Sequence, residues 1–283
     1  MSTEPIITHD AHIPAPNMIQ SSGSSSLQLR LHKHEQFASR LIDEKHDFIV
    51  YVPQAFNDDP NRFFPVLYLH DGQNLFDPVT SFIKGNYWRV GETADSLIES
   101  GEVEPLVIVG IYNTGVKRVD EYTPVEDKRL GGGRADAYGQ MLVDELRPLV
   151  ARQYRTLAGA RNCGMGGSSL GGLVSLYLGM CYPDIFGNLA ILSPSVWWHN
   201  RAILRTVEQL RQKTGQRIWL DMGTREGRRA LSDVRALKRL LIKKGWRKGG
   251  DLAYREIEGG QHSEYAWAER VGPMLKFLFP RRS

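Results

Sequence analysis

Five residues concentrate the chemistry of this chain: Gly167-Ser168-Ser169-Leu170-Gly171. A serine with glycines two positions to either side is the pattern of a nucleophile elbow, a sharp strand-to-helix turn that lifts one hydroxyl clear of the backbone. The glycines answer to sterics, because strand and helix cross so closely there that a β-carbon would collide. Small residues lead in from Thr156 to Met165, and Leu170, Leu173, Leu176 and Tyr177 follow at helical spacing. At Ser169 the chemistry on offer is attack on an acyl carbon. The pentapeptide alone is modest evidence, since a chain of 283 residues with 28 glycines gives about 0.2 copies by chance. Attack also needs a base, a carboxylate to orient it and donors for the developing oxyanion.

Of eight histidines, His262 is the one placed after the elbow at the end of a late predicted strand, in Gly259-Gly260-Gln261-His262-Ser263-Glu264. From such a loop an imidazole reaches along the sheet edge to Ser169 and serves as general base, then general acid. His199 is the runner-up, but it precedes any plausible acid. For the acid, Glu226 emerges just beyond the strand Ile218-Trp219-Leu220-Asp221-Met222, where its carboxylate would fix the histidine tautomer and stabilise the imidazolium. An alternative for Glu226 is a helix N-terminal charge favoured by the dipole. Asp221 lies inside the strand and Asp233 on the next helix, so both are less favourably placed. Ser169, Glu226 and His262 fall in the serine–acid–histidine order of α/β-hydrolases. For the oxyanion hole, Leu170 supplies one N–H by following the nucleophile. Gln73 is expected to supply the other, from the loop His70-Asp71-Gly72-Gln73-Asn74-Leu75-Phe76-Asp77, with Gly72 permitting the tight turn. A metal site from His70, Asp71 and Asp77 competes, but no further ligand group has matching spacing. No metal or organic cofactor is implied.

These residues need a scaffold, and the chain alternates strand and helix. An alternating apolar stretch through Leu27, Leu29 and Leu31 predicts a first strand, and Phe48–Val52 a second, stopped by Pro53. Pro65–Leu69 and Leu106–Ile111 are continuously apolar, as central strands are. Helices are expected over 88–99 and 136–154, where Pro148 predicts a kink or a break. Residues 113–134, with Gly131-Gly132-Gly133, read as a long loop of functional type. After the elbow come strands at 189–192, 217–222 and 252–257 and helices at 200–213, 228–244 and 263–278. Such alternation predicts a mostly parallel sheet with helices on both faces in a single domain, reactive groups gathering at the carboxyl ends of the strands.

Composition agrees with one large core: 41% of residues are hydrophobic. A net charge of +4 is mild, which argues against a nucleic-acid partner. The basic run from Arg225 to Lys248 contains Leu231, Val234, Leu237 and Leu241 at helical spacing and reads as an amphipathic helix with a solvated outer face. Residues 1–25 read as a flexible arm, with residues 26–283 as the catalytic domain. No stretch is apolar enough to span a bilayer and the start lacks a secretory pattern, so a cytoplasmic protein with no membrane partner is expected. Cys163 and Cys181 are expected to be buried free thiols.

With these residues in place, the chain resembles the family named Putative esterase among the α/β-hydrolases, which includes esterase D-like, feruloyl esterase-like and enterochelin esterase-like enzymes. The resemblance runs from about Phe37 to Leu278. It rests on Tyr68–Asp77, on Val109-Gly110-Ile111-Tyr112-Asn113 with Arg118 and Glu121-Tyr122-Thr123-Pro124, and on Gly167–Leu173. Ser193-Pro194-Ser195-Val196-Trp197-Trp198 and Gly260–Glu264 complete it. It implies an α/β-hydrolase fold, Ser169 as nucleophile, His262 as base, and Gln73 and Leu170 as oxyanion donors. Members often carry aspartate where Glu226 stands; glutamate reaches one methylene further. The family's siderophore esterases can carry an extra amino-terminal domain, whereas only a short arm precedes this one. Arg118, in the long loop, is expected to contact an anionic or carbonyl part of a substrate or, alternatively, to order the loop by pairing with Glu121. Trp197 and Trp198 are expected to wall an acyl or aromatic pocket or to pack in the core. The reading is a serine-dependent hydrolase of small carboxylic esters. Acyl transfer by the same nucleophile and a non-catalytic binding scaffold are the alternatives.

Overall fold

The computed structural model describes residues 17–18 and 26–281. Their strands are β1 (Asn17–Met18), β2 (Leu31–Phe37), β3 (His46–Tyr51), β4 (Val66–His70), β5 (Val107–Ile111), β6 (Glu126–Asp127), β7 (Gly131–Gly132), β8 (Cys163–Ser168), β9 (Asn188–Leu192), β10 (Arg217–Gly223) and β11 (Leu252–Ile257). Nine form one sheet in the order β1-β2-β3-β5-β4-β8-β9-β10-β11, while β6 and β7 make a small separate hairpin. From β5 to β11 every neighbouring pair is parallel, and β1, β2 and β3 extend the sheet antiparallel on one side.

Burial explains why these segments are strands. β4, β5, β8 and β9 are buried at every position, as strands covered on both faces must be. Alternate side chains then feed two separate cores. Val66 and Tyr68 point into one, beneath the helices Ala135–Met141, Arg147–Tyr154, Leu170–Cys181 and Arg228–Lys243. Leu67 and Leu69 point into the other, against the helices Val90–Glu99 and Glu264–Leu278. The basic segment is amphipathic as expected: its helix buries Val234, Leu237 and Leu241 and exposes Arg228, Arg229, Arg235 and Arg239. Among the described residues no helix is long and apolar enough to cross a membrane.

Several local expectations change. The alternation Leu27-Leu29-Leu31 is not a strand: Gln28–Arg30 form a 3-10 turn and pairing begins at Leu31. Arg30, in that turn, is buried and forks its guanidinium onto Asp95 at 2.8 and 2.6 Å. At Pro148 the helix neither ends nor breaks. A π-helical turn over Leu142–Leu146 precedes it, with Arg147 N–H donating to Leu142 O, and this wider turn accommodates a ring without an N–H. The long loop after β5 carries a short helix, Arg118–Tyr122, besides the β6–β7 hairpin. Both cysteines are free, but only Cys163 is buried; Cys181, at the last position of its helix, is exposed. Of the arm expected over residues 1–25, only Asn17–Met18 are described, paired with His32 and Lys33; His9 and His12 lie outside the described residues.

The strand order places the site. The chain runs from β4 outward to β5, then returns to add β8 on the opposite side of β4. Such a reversal opens a crevice above the carboxyl ends of the two inner strands. The segments leaving β4 and β8 are those that carry Gln73 and Ser169.

Candidate active site

Ser169 directly follows β8 and caps the helix Leu170–Cys181 with φ 57° and ψ −121°. A non-glycine residue there carries on the order of 1–3 kcal/mol of strain, held by its surroundings. Its N–H donates to Leu192 O at 3.1 Å, and its carbonyl accepts from Leu173 N and Ser195 N, each at 3.0 Å. A Cβ on Gly167 would lie 3.0 Å from Gly171 C, so a side chain there would press on the backbone where strand and helix cross. The Ser169 hydroxyl is half-buried and meets Ser195 Oγ at 3.3 Å. No hydrogen bond joins it to His262 in this conformation.

Glu226 and His262 are brought together from consecutive loops of the sheet edge. His262 Nδ1 lies 2.6 Å from Glu226 Oε2. The glutamate side chain is 1% exposed and the imidazole 46%. Backbone contacts zip the two loops together: Thr224 N donates to Ile257 O at 2.9 Å and Arg225 N to Gly260 O at 3.0 Å. Glu226 Oε1 accepts from Ser193 Oγ at 2.7 Å, Gly223 N at 2.8 Å and Arg270 Nη2 at 3.3 Å. Burial works against this carboxylate, but the bonds from His262, Ser193 and Gly223 outweigh it and hold its pKa below the ordinary 4.5. An ionised Oε2 assigns the proton of the short contact to His262 Nδ1 and leaves Nε2 as the basic nitrogen. Trp267 stacks edge-on to the imidazole, with centroids 4.8 Å apart.

Gln73 lies in a 3-10 turn, Gly72–Asn74, entered through Asp71 in the left-handed region (φ 58°, ψ 46°). Gly72 presses on β5 so tightly that a Cβ would stand 2.5 Å from Gly110 O. Gln73 is tied at both ends: its carbonyl accepts from Thr80 Oγ1 at 2.7 Å and its Oε1 from Asn113 N at 3.3 Å. Neither the Gln73 N–H nor the Leu170 N–H donates to an acceptor among the described residues.

Arg118 pairs with Asp71 and not with Glu121. Its Nε and Nη2 fork onto the two carboxylate oxygens at 2.7 and 2.8 Å, and Asn113 Nδ2 adds a third bond at 2.7 Å. Glu121 accepts from Thr114 Oγ1 at 2.8 Å, and its other oxygen lies 3.1 Å from His46 Nε2. Trp198 is buried, with Nε1 donating to Val125 O at 2.8 Å, while Trp197 remains exposed. His199 lies 3.9 Å from Asp127, in the long-loop hairpin. Of the residues in the metal alternative, buried His70 directs Nδ1 to Gly166 O and Ser175 Oγ at 3.0 Å, and Asp71 is taken by Arg118 and Asn113. Burial lowers His70 to about 4, so the ring is neutral. No group of three ligating side chains suited to a metal occurs among the described residues.

Sequence reasoning placed Ser193 and Ser195 in a motif of the family resemblance without a role, and passed over Arg270. Arg270 left a trace, since it lies on the helix face of Trp267, Val271 and Met274, all buried. Asp221, in the middle of an apolar strand, left the matching one. A buried cation and a buried anion out of pattern imply each other, and Arg270 Nη1 does donate to Asp221 Oδ1 at 2.8 Å.

The profile of the family described as Putative esterase matches residues 22–278. The chain belongs to that family. YbbA of Bacillus subtilis is 28% identical over 203 residues, covering 70% of this chain and 74% of that protein. The ferri-bacillibactin esterase BesA of Bacillus subtilis is 25% identical over 195 residues, 62% of this chain and 64% of its own. The crystal structure of BES protein from Bacillus cereus matches with a TM-score of 0.71 over 93% of this chain and 98% of that one, at 20% identity. The fold is accordingly that of the esterase-family α/β-hydrolases.

Proposed function

We propose that the chain hydrolyses small-molecule carboxylic esters through an acyl-enzyme on Ser169. The observation that carries this reading is the 2.6 Å contact between His262 Nδ1 and Glu226 Oε2, in the loops that follow the same sheet edge as the Ser169 elbow. In this mechanism the Ser169 hydroxyl exchanges Ser195 for His262 Nε2. Nε2 takes the proton as Oγ bonds to the ester carbon. The carbonyl oxygen becomes an oxyanion held by the N–H groups of Gln73 and Leu170, which have no other acceptor among the described residues. Glu226 stabilises the imidazolium while staying ionised. His262 then protonates the leaving alkoxide, and a water that it activates attacks the acyl carbon and frees Ser169. Arg118, fixed by Asp71, retains Nη1 to donate to a substrate oxygen, and the exposed Trp197 offers an aromatic wall. Membership of the esterase family and similarity to the ferri-bacillibactin esterase BesA support ester hydrolysis.

The test is a panel of p-nitrophenyl esters with wild type, Ser169→Ala, His262→Ala and Glu226→Ala, and intact-mass analysis of rapidly quenched reactions. The first two variants are expected to lose essentially all turnover and Glu226→Ala to keep a fraction. An acyl adduct should appear on the wild type and be absent from Ser169→Ala. Undiminished turnover in Ser169→Ala would be falsifying for the nucleophile.

A further inference from the structure

We propose that Arg270 is a positioning residue for the acid–base pair, holding from inside the core both the far oxygen of Glu226 and the loop that carries His262. The proposal rests on the serine-esterase reading above. Arg270 projects from the closing helix with its side chain 1% exposed. Nη1 donates to Asp221 Oδ1 and Ser193 Oγ, each at 2.8 Å. Nη2 reaches Glu226 Oε1 at 3.3 Å and Gln261 O at 3.4 Å. One planar group therefore ties β10, the turn after β9, the acid loop and the residue before His262.

Hydrogen-bond direction makes this more than proximity. Ser193 Oγ has three neighbours: Arg270 Nη1 at 2.8 Å, Trp267 Nε1 at 3.1 Å and Glu226 Oε1 at 2.7 Å. Guanidinium and indole N–H groups only donate, so Ser193 accepts from both and its own proton points at the carboxylate. Arg270 acts on Glu226 twice, directly and by orienting Ser193. Ser193 is held for this task in the left-handed region, φ 42°. Asp221, wholly buried, is the counter-ion that lets a cation sit here.

The chemical need comes from glutamate itself. Its side chain has one more rotatable bond than aspartate, and each staggered torsion opens alternative positions for Oε2. With Oε1 clamped, the last torsions are fixed and Oε2 meets the imidazole in one place. Misplacing a catalytic group by about 1 Å costs roughly 10²-fold in rate. Lysine carries the charge but lacks the planar fork that spans these acceptors.

The experiment compares Arg270→Lys and Ser193→Ala with wild type and Ser169→Ala, using p-nitrophenyl ester kinetics and the far-downfield ¹H NMR signal of the His262–Glu226 proton. Ser193→Ala leaves the Arg270–Asp221 pair intact, so it decides the matter if Arg270→Lys does not fold. Expected in each folded variant is a kcat lower by roughly 10- to 100-fold with KM within about twofold, and a displaced or lost downfield resonance. A purely structural Arg270 would lower the melting temperature yet leave both kcat of the folded enzyme and the resonance at wild-type values. That result in Ser193→Ala or Arg270→Lys overturns the proposal. Activity surviving in Ser169→Ala marks the different failure, that of the serine-esterase reading, and takes this proposal with it.

Discussion

Glu226 is a carboxylate 1% exposed and still ionised, because four donors face its two oxygens. That arrangement has a thermodynamic signature. Its pKa in the folded chain lies below the ordinary 4.5, so its ionisation stabilises the fold fully above pH 4.5, and this contribution is lost as pH falls through the folded value. Glu226→Gln removes the titration. Urea unfolding at pH 7 should therefore show wild type ahead of Glu226→Gln, with the gap narrowing at pH values below 4.5. An equal gap at both pH values would mean that the network does not favour the charged form. Asp221 and Arg270 cannot be examined as simply, since removing Arg270 strips the buried Asp221 of its counter-ion and removing Asp221 takes one of two carboxylates from the buried guanidinium.

At the scale of elements, the glycine that seats the Gln73 turn is the sharpest constraint. Gly72→Ala would put a methyl 2.7 Å from Ile111 N and 2.5 Å from Gly110 O, backbone atoms of a central strand that have nowhere to move. The turn must shift instead, taking the Gln73 N–H with it. Expected is a loss of roughly 10²-fold in kcat with little change in KM, measured on a p-nitrophenyl ester; wild-type kcat would detach Gln73 from the oxyanion role. Sequence reasoning reached this turn, the elbow and the central strands because each is governed by local rules: continuous apolar runs for β4 and β5, glycine at close crossings. It failed where a distant partner decides. Leu27-Leu29-Leu31 alternates like a strand, but Arg30 pairs with Asp95, 65 residues away. Arg118 has Glu121 within a helical turn, yet it chooses Asp71 across the sheet edge. Ser193 meets Glu226 through a contact that no spacing encodes, and Arg270 left only the trace of a charge on a buried helix face.

For the molecule as a whole, sheet order and chemistry are one fact. Among the described strands the parallel part of the sheet reverses its order around β4, and the residues proposed to act come from loops after β4, β8, β10 and β11, all opening on the same edge. The layers beneath supply rigidity, two apolar cores separated by the sheet. The two thiols divide along the same lines. Cys163 starts β8 in the core, where burial pushes its pKa up to about 12; Cys181 ends the helix that Ser169 begins. A maleimide should therefore modify one cysteine in the native protein and two after denaturation, read by mass, whereas double labelling of the native protein would contradict the burial of Cys163. Cys181 is the twelfth residue of the helix that Ser169 caps, about 18 Å along its axis at 1.5 Å each. A dye attached at Cys181 would thus sit at the opposite end of this helix from the elbow, labelling the native chain with no engineered cysteine.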